Sequence, residues 1–122
     1  MRINHIGIVS IPVADQARAL AFYRDTLGFE VLRDSPMGPD QRWIMMAPPG
    51  AQTAITLVTW FASMPPGSVQ GLLLNTLDID HDHAELRANG VDISPIAEEH
   101  WGRYAMFKDP DGNGFVLRGS LT

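Results

Sequence analysis

The sequence predicts an α+β domain built from two copies of one β-α-β-β-β unit. Three observations carry that expectation. The chain has 122 residues, 45% hydrophobic and 19% charged, enough for one domain with a real core and too apolar for a disordered chain. Apolar stretches of strand length alternate with two helical stretches, each opened by an aspartate and closed by a glycine. Those signals recur half a chain apart: Asp15 with Asp78, Gly28 with Gly90, and Leu27-Gly-Phe-Glu-Val31 with the similar Asn89-Gly-Val-Asp-Ile93. The expected organisation is a single domain over residues 1–122, module one spanning 1–62 and module two 68–122, with Pro65 and Pro66 in the break.

In chain order, Ile3 to Val9 is apolar and β-branched and reads as a largely buried strand. Asp15 caps a helix through Tyr23 to Leu27, with Leu20, Tyr23 and Leu27 on one face, and Gly28 ends it. Strands follow over Phe29 to Asp34, Arg42 to Ala47 and Ala54 to Trp60, separated by turn-rich stretches. The order then returns: a strand over Gly71 to Thr76, a helix from the Asp78 cap to Asn89, and strands near Val91 to Ile96, Arg103 to Lys108 and Gly114 to Arg118. Asp109-Pro-Asp-Gly-Asn113 is a tight turn joining the last two.

Net charge is −5 and there is no basic stripe, which argues against nucleic acid and against anionic lipid as partners. No run reaches the roughly 18 apolar residues of a membrane span. Met1 to Ala14 lacks a signal-peptide pattern and reads as part of the mature protein, with a cytoplasmic location expected. Cysteine is absent, which removes disulfides, thiolate ligands and Cys nucleophiles. The serines lie in no nucleophile-elbow pattern, and no glycine-rich loop precedes a helix to cradle phosphate.

The string Ala21-Phe-Tyr-Arg-Asp-Thr-Leu-Gly-Phe-Glu30 resembles the helix-to-strand signature of the vicinal oxygen chelate superfamily, which includes glyoxalase I, bleomycin-resistance proteins and extradiol dioxygenases. Leu77-Asp-Ile-Asp80 with Ala84-Glu-Leu-Arg-Ala-Asn-Gly-Val91 is similar to its second helix, and Phe107-Lys-Asp-Pro-Asp-Gly-Asn113 to its last hairpin. The resemblance implies paired modules whose mixed sheets curl into cups, a site inside each cup, and a homodimer. It also implies where metal ligands would stand: His5 on the first strand, Thr56 or Val58 on the fourth, the neighbourhood of Gly71, and Val116 on the last strand. Only His5 can ligate strongly. No Asp, Glu, His or Cys occurs from Ala47 through Leu77 or from Gly112 onward, and Gln70 is the one weak neighbour. No resident cofactor is expected, a divalent metal being the lesser reading.

What the resemblance places at the site is apolar and aromatic: His5, Trp43, Met45, Thr56, Val58, Trp101, Tyr104, Met106 and Val116, with Trp60 and Trp101 at the rims. Arg103 adjoins Tyr104 but alternates away from it, and is expected at the surface with Glu98 or Glu99. His81 reads as solvated, His83 as half-buried packing and His100 as a loop residue. The function expected is metal-independent binding of an aromatic or apolar small molecule. The alternatives are a glyoxalase-I-like lyase, epimerase or dioxygenase-type enzyme using His5, with Tyr104 as the other catalytic candidate for acid–base work without metal, and a regulatory or partner-binding module whose cup is filled by its own side chains.

Overall fold

The computed structural model describes residues 1–121, in which two compact units are separated after Pro66. In the first, β1 (Ile8–Pro12), α1 (Gln16–Ala21), β2 (Glu30–Pro36), β3 (Arg42–Ala47) and β4 (Ala54–Val58) follow one another. In the second, the order is β5 (Leu72–Asn75), α2 (Ile79–Ala88), β6 (Ala97–Glu99), β7 (Gly102–Lys108) and β8 (Gly114–Gly119). The sheets share one topology, β1-β4-β3-β2 and β5-β8-β7-β6, with the first strand of each parallel to its neighbour and the other pairs antiparallel.

Both helices start where the aspartates predict. The Asp15 carboxylate accepts from Arg18 N at 3.1 Å and that of Asp78 from His81 N at 3.0 Å, each satisfying a donor that the helix itself leaves unpaired. The first helix does not run evenly to Leu27. After Ala21 it widens into a π-helical turn, Phe22–Thr26, in which Leu27 N bonds Phe22 O at 3.2 Å. Tyr23 is fully buried there, packed edge-on to Phe22 and against Phe29. Gln16 fastens α1 to the sheet. The β3–β4 register covers only Met45/Thr56 and Met46/Ile55, and beyond it the Gln16 amide donates to Leu57 O (2.8 Å) and Arg42 O (2.7 Å) and accepts from Arg42 N (3.0 Å). Alternation then puts Ile11, Ile44, Met46 and Leu57 on one fully buried face. Burying such a side chain contributes about 1.5–3 kcal/mol each.

Three expectations need correction. The sheets are not curled cups: each is an open row of four strands with two unpaired edges, neither closed nor strongly curled. Four short strands are too few to wrap round on themselves. The first strand does not span Ile3 to Val9 but starts at Ile8. Ahead of it Thr53 Oγ1 donates to Ile6 O (2.7 Å) and Ala54 N to Gly7 O (2.9 Å), and Ile3 and Ile6 stand 82% and 69% exposed. Nor do residues 91–96 form a strand. Ser94 there replaces regular pairing, its N–H donating to Met106 O (2.9 Å) and its hydroxyl accepting from Met106 N (2.8 Å), and Pro95 has no N–H to continue the ladder. Regular pairing resumes only with β6.

Arg103 lies on the α2 side of its sheet, as alternation requires, but its partner is Asp80 in the first turn of α2, held by two hydrogen bonds of 2.9 and 2.8 Å. Glu98 stands opposite Arg103 on β6 and acts on it only through its charge. The guanidinium hydrogen bond holds the Asp80 carboxyl below the usual carboxylate range. A depressed folded-state value means the pair favours the folded chain above the ordinary carboxylate pKa, and that contribution fades as pH falls through the depressed one. We expect a carboxyl-carbon NMR titration to give Asp80 a midpoint below that of a free aspartate, and Arg103→Gln to move it back up. An unchanged midpoint in the variant would show that the pair does not persist in solution.

Candidate functional site

Each sheet has one face turned away from its more buried side. In the first unit, Met45 stands directly opposite Thr56 and Ser10 is in register with Thr56 on the other side, so alternation brings Trp43, Met45, Thr56, Val58 and Ser10 to one face. Trp43 and Met45 are half-buried. Thr56 is 2% exposed and its hydroxyl oxygen has no hydrogen-bond partner. This orphaned polar atom shares its face with Trp43, Met45 and Val58, three further residues singled out from the sequence.

In the second unit the face opposite α2 carries Tyr104 and Met106 from β7 and Val116 from β8, with Met106 directly opposite Val116 and Leu73 beside Val116 on β5. Met106 is 53% exposed, an unusual setting for a methionine at mid-strand. Trp101 stacks on Tyr104, their ring centroids 5.0 Å apart and the planes 29° from parallel. Trp101 is 38% exposed, so that stack offers a flat surface to solvent. Trp60 lies beyond the end of β4, packed at 6.2 Å on the exposed Phe61.

Sequence reasoning missed Arg118. It stands directly opposite Tyr104 on β8 and opposite Asn75 on β5. Its Nε and Nη2 donate to Trp101 O at 3.1 and 2.7 Å, and its Nη1 to Asn75 Oδ1 at 3.1 Å. The signal was present: a residue two beyond Val116 shares its face.

His5 is exposed on the segment ahead of β1, its Nδ1 2.7 Å from Asn4 Oδ1. Val9, which alternation along the expected Ile3–Val9 strand would put on the same side as His5, is in register with Ile55 and so faces away from Thr56. Gln70 is engaged elsewhere, its amide donating to Gly67 O (2.9 Å) and Gly112 O (3.1 Å) and bracing the last hairpin. The donors at the positions the resemblance marks for metal therefore do not fit one. Among the described residues, the one group of three that could hold an ion is His81, Asp82 and Glu85 on the surface of α2. Its members are already engaged, His81 with Glu85 at 3.1 Å and Asp82 with the Thr76 hydroxyl. His83, half-buried, donates from Nε2 to Ser94 O at 2.8 Å, and His100 is exposed in its loop. A groove of about 410 Å³ runs beside α2, bounded by His83, Arg87, Ile93 and Pro95, and contains none of the expected site residues.

Repeated β-α-β-β-β units with an aromatic and methionine-bearing sheet face define a class of small two-module α+β proteins. This chain belongs to the Glyoxalase/Bleomycin resistance protein/Dioxygenase superfamily, whose model matches residues 2–117. It is similar to the crystal structure of TnmS3, an antibiotic binding protein from Streptomyces sp. CB03234, at 48% identity and TM-score 0.94, with 98% of each chain covered. A superfamily member from Sphaerobacter thermophilus DSM 20745 is 38% identical with TM-score 0.89, over 98% of this chain and 100% of that one. The uncharacterized protein YetH of Bacillus subtilis (strain 168) is 36% identical over 120 residues, 95% of this chain and 98% of its own.

Proposed function

We propose that this protein binds an aromatic or apolar small molecule without transforming it, in the manner of a sequestering antibiotic-binding protein. The observation that carries this reading is the second-sheet face, where the Trp101–Tyr104 stack, Met106 and Val116 form an apolar, flat-ringed surface with no nucleophile or metal-ligand set. The likeness to TnmS3 over almost the whole chain supports it. Trp43, Met45, Thr56 and Val58 supply the corresponding face in the first unit, and His5 and Tyr104 have no assigned catalytic role in this reading. Neutral anthracene-2-carboxamide is expected to quench tryptophan fluorescence, to raise Tm by mass action, and to be recovered unchanged. No quenching and no Tm shift up to the solubility limit would overturn the reading. Recovery of an altered compound would replace it with the enzyme.

The occupant proposed for the exposed apolar segment ahead of β1 is a second copy of the chain. Ile3 and Ile6 lie there with little cover, and Ile8, itself exposed, opens the parallel edge strand β1 with its unpaired backbone groups. Light scattering is expected to give twice the 13.4 kDa chain mass. Ile3→Asp with Ile6→Asp should return the protein to one chain mass. A wild-type protein of one chain mass across the micromolar range would reject the dimer.

A further inference from the structure

We propose that Arg118 is the polar anchor of the second-sheet face and selects ligands carrying an anionic oxygen, a carboxylate or phenolate, at the edge of a flat aromatic ring. This rests on the small-molecule reading above and adds the chemistry of the ligand to it. The face is divided across its strands. One row, Leu73–Val116–Met106, is apolar; the next, Asn75–Arg118–Tyr104, is polar and ends at the Trp101 ring. A flat apolar ligand lying on the first row and against the stacked rings meets the guanidinium at its margin.

Three features show that Arg118 is held for such a role. No carboxylate among the described residues neutralises its charge: Arg24, Arg42 and Arg103 each pair with an aspartate, whereas Arg118 has the Trp101 carbonyl and the Asn75 amide oxygen as its partners there. Those neutral acceptors fix the plane of the guanidinium while taking three of its five N–H groups, leaving one on each terminal nitrogen. The backbone beneath is also shaped for it. Gly102 has φ +145°, and a Cβ there would lie 2.6 Å from Gly119 O and 3.3 Å from Arg118 Nε, so the side chain lies where only glycine leaves room. A positioned, half-exposed cation without a counter-charge, beside aromatic surface, complements an anionic oxygen through charge-assisted hydrogen bonds.

The test compares anthracene-2-carboxylate with anthracene-2-carboxamide at one pH and salt concentration, read by tryptophan quenching. The two share shape and differ in charge. The wild-type protein is expected to bind the carboxylate about tenfold more tightly. Arg118→Gln should bring the ratio to about one, whatever the loss of its hydrogen bonds to Trp101 O does to both affinities together, and Arg118→Lys should keep part of the preference. Equal affinities in the wild type, or a preference that survives Arg118→Gln, would overturn the assignment of Arg118 while leaving ligand binding intact. Binding of neither probe would overturn ligand binding and the anchor together. A readout on the unaltered protein covers the case in which the variant misfolds. The Arg118 Nε–H NMR resonance should move with the carboxylate and stay in place with the carboxamide, and no movement under saturating carboxylate would sink the proposal.

Discussion

Gly67→Ala is expected to lower Tm by about 10 °C, which for a chain of this size corresponds to roughly 3 kcal/mol. Two costs combine. Gly67 has φ +85°, a conformation that costs an L-residue about 1–2 kcal/mol. A Cβ there would also lie 2.3 Å from Asp111 O, inside the Asp109–Asn113 turn. That carbonyl cannot yield easily. The Asp109 carboxylate accepts from Asp111 N and Asn113 N at 2.9 Å and from Asn113 Nδ2 at 2.8 Å, while Asn113 Oδ1 accepts from Val69 N at 3.2 Å. Gly50→Ala is the comparison, because Gly50 has φ +76° but a Cβ added there would meet nothing within 4 Å. It should carry only the conformational cost. Equal Tm losses in the two variants would show that the contact with the turn is relieved at no cost.

Trp101→Ala is expected to weaken binding of the neutral anthracene probe by tenfold or more while lowering Tm by no more than about 5 °C. The ring is stacked on Tyr104 and is partly open to solvent, so its loss removes ligand contact area and a stacking partner worth about 0.5–1.5 kcal/mol beyond that area. A core tryptophan would behave in the opposite way, costing about 3–5 kcal/mol of stability. Calorimetry and fluorescence titration on one preparation separate the two. A large Tm loss with unchanged affinity would move Trp101 from the ligand face to the core.

Much of this architecture was legible because short-range chemistry determines it. Asp15 and Asp78 cap their helices through their own carboxylates, and the Asp109–Asn113 turn sets the β7–β8 register. The elements that moved are those decided by groups distant in sequence. Residues 91–96 have strand composition, but Ser94 meets Met106 before a ladder can form. Ile3 and Ile6 read as core because they are apolar, yet both stand largely exposed. The curl of the sheets came from resemblance alone and did not hold. On the two sheet faces, alternation puts Trp43 with Met45 and Tyr104 with Met106, as the register has them. It would have reached Arg118 as well, had the rule been carried two residues past Val116. Its two neutral acceptors, a backbone carbonyl and Asn75, leave no mark in charge patterning, which reveals only opposite charges.

The Ser94–Pro95 substitution for regular pairing has a consequence for behaviour at high concentration. A sheet edge invites another chain to add itself as the next strand, the first step toward fibrils. Here the edge strand β6 is three residues long, starts two residues after Pro95, and two of its residues, Glu98 and Glu99, are acidic and exposed. A second molecule approaching that edge meets a short template and like charge. In the first unit the edge strand β2 is longer, but Glu30, Arg33 and Asp34 interrupt its apolar residues, and its pairing with β3 shifts between Val31 and Arg33. Irregularity at these two borders thus acts against runaway self-association, and leaves the apolar face of each sheet able to stay open to a small guest.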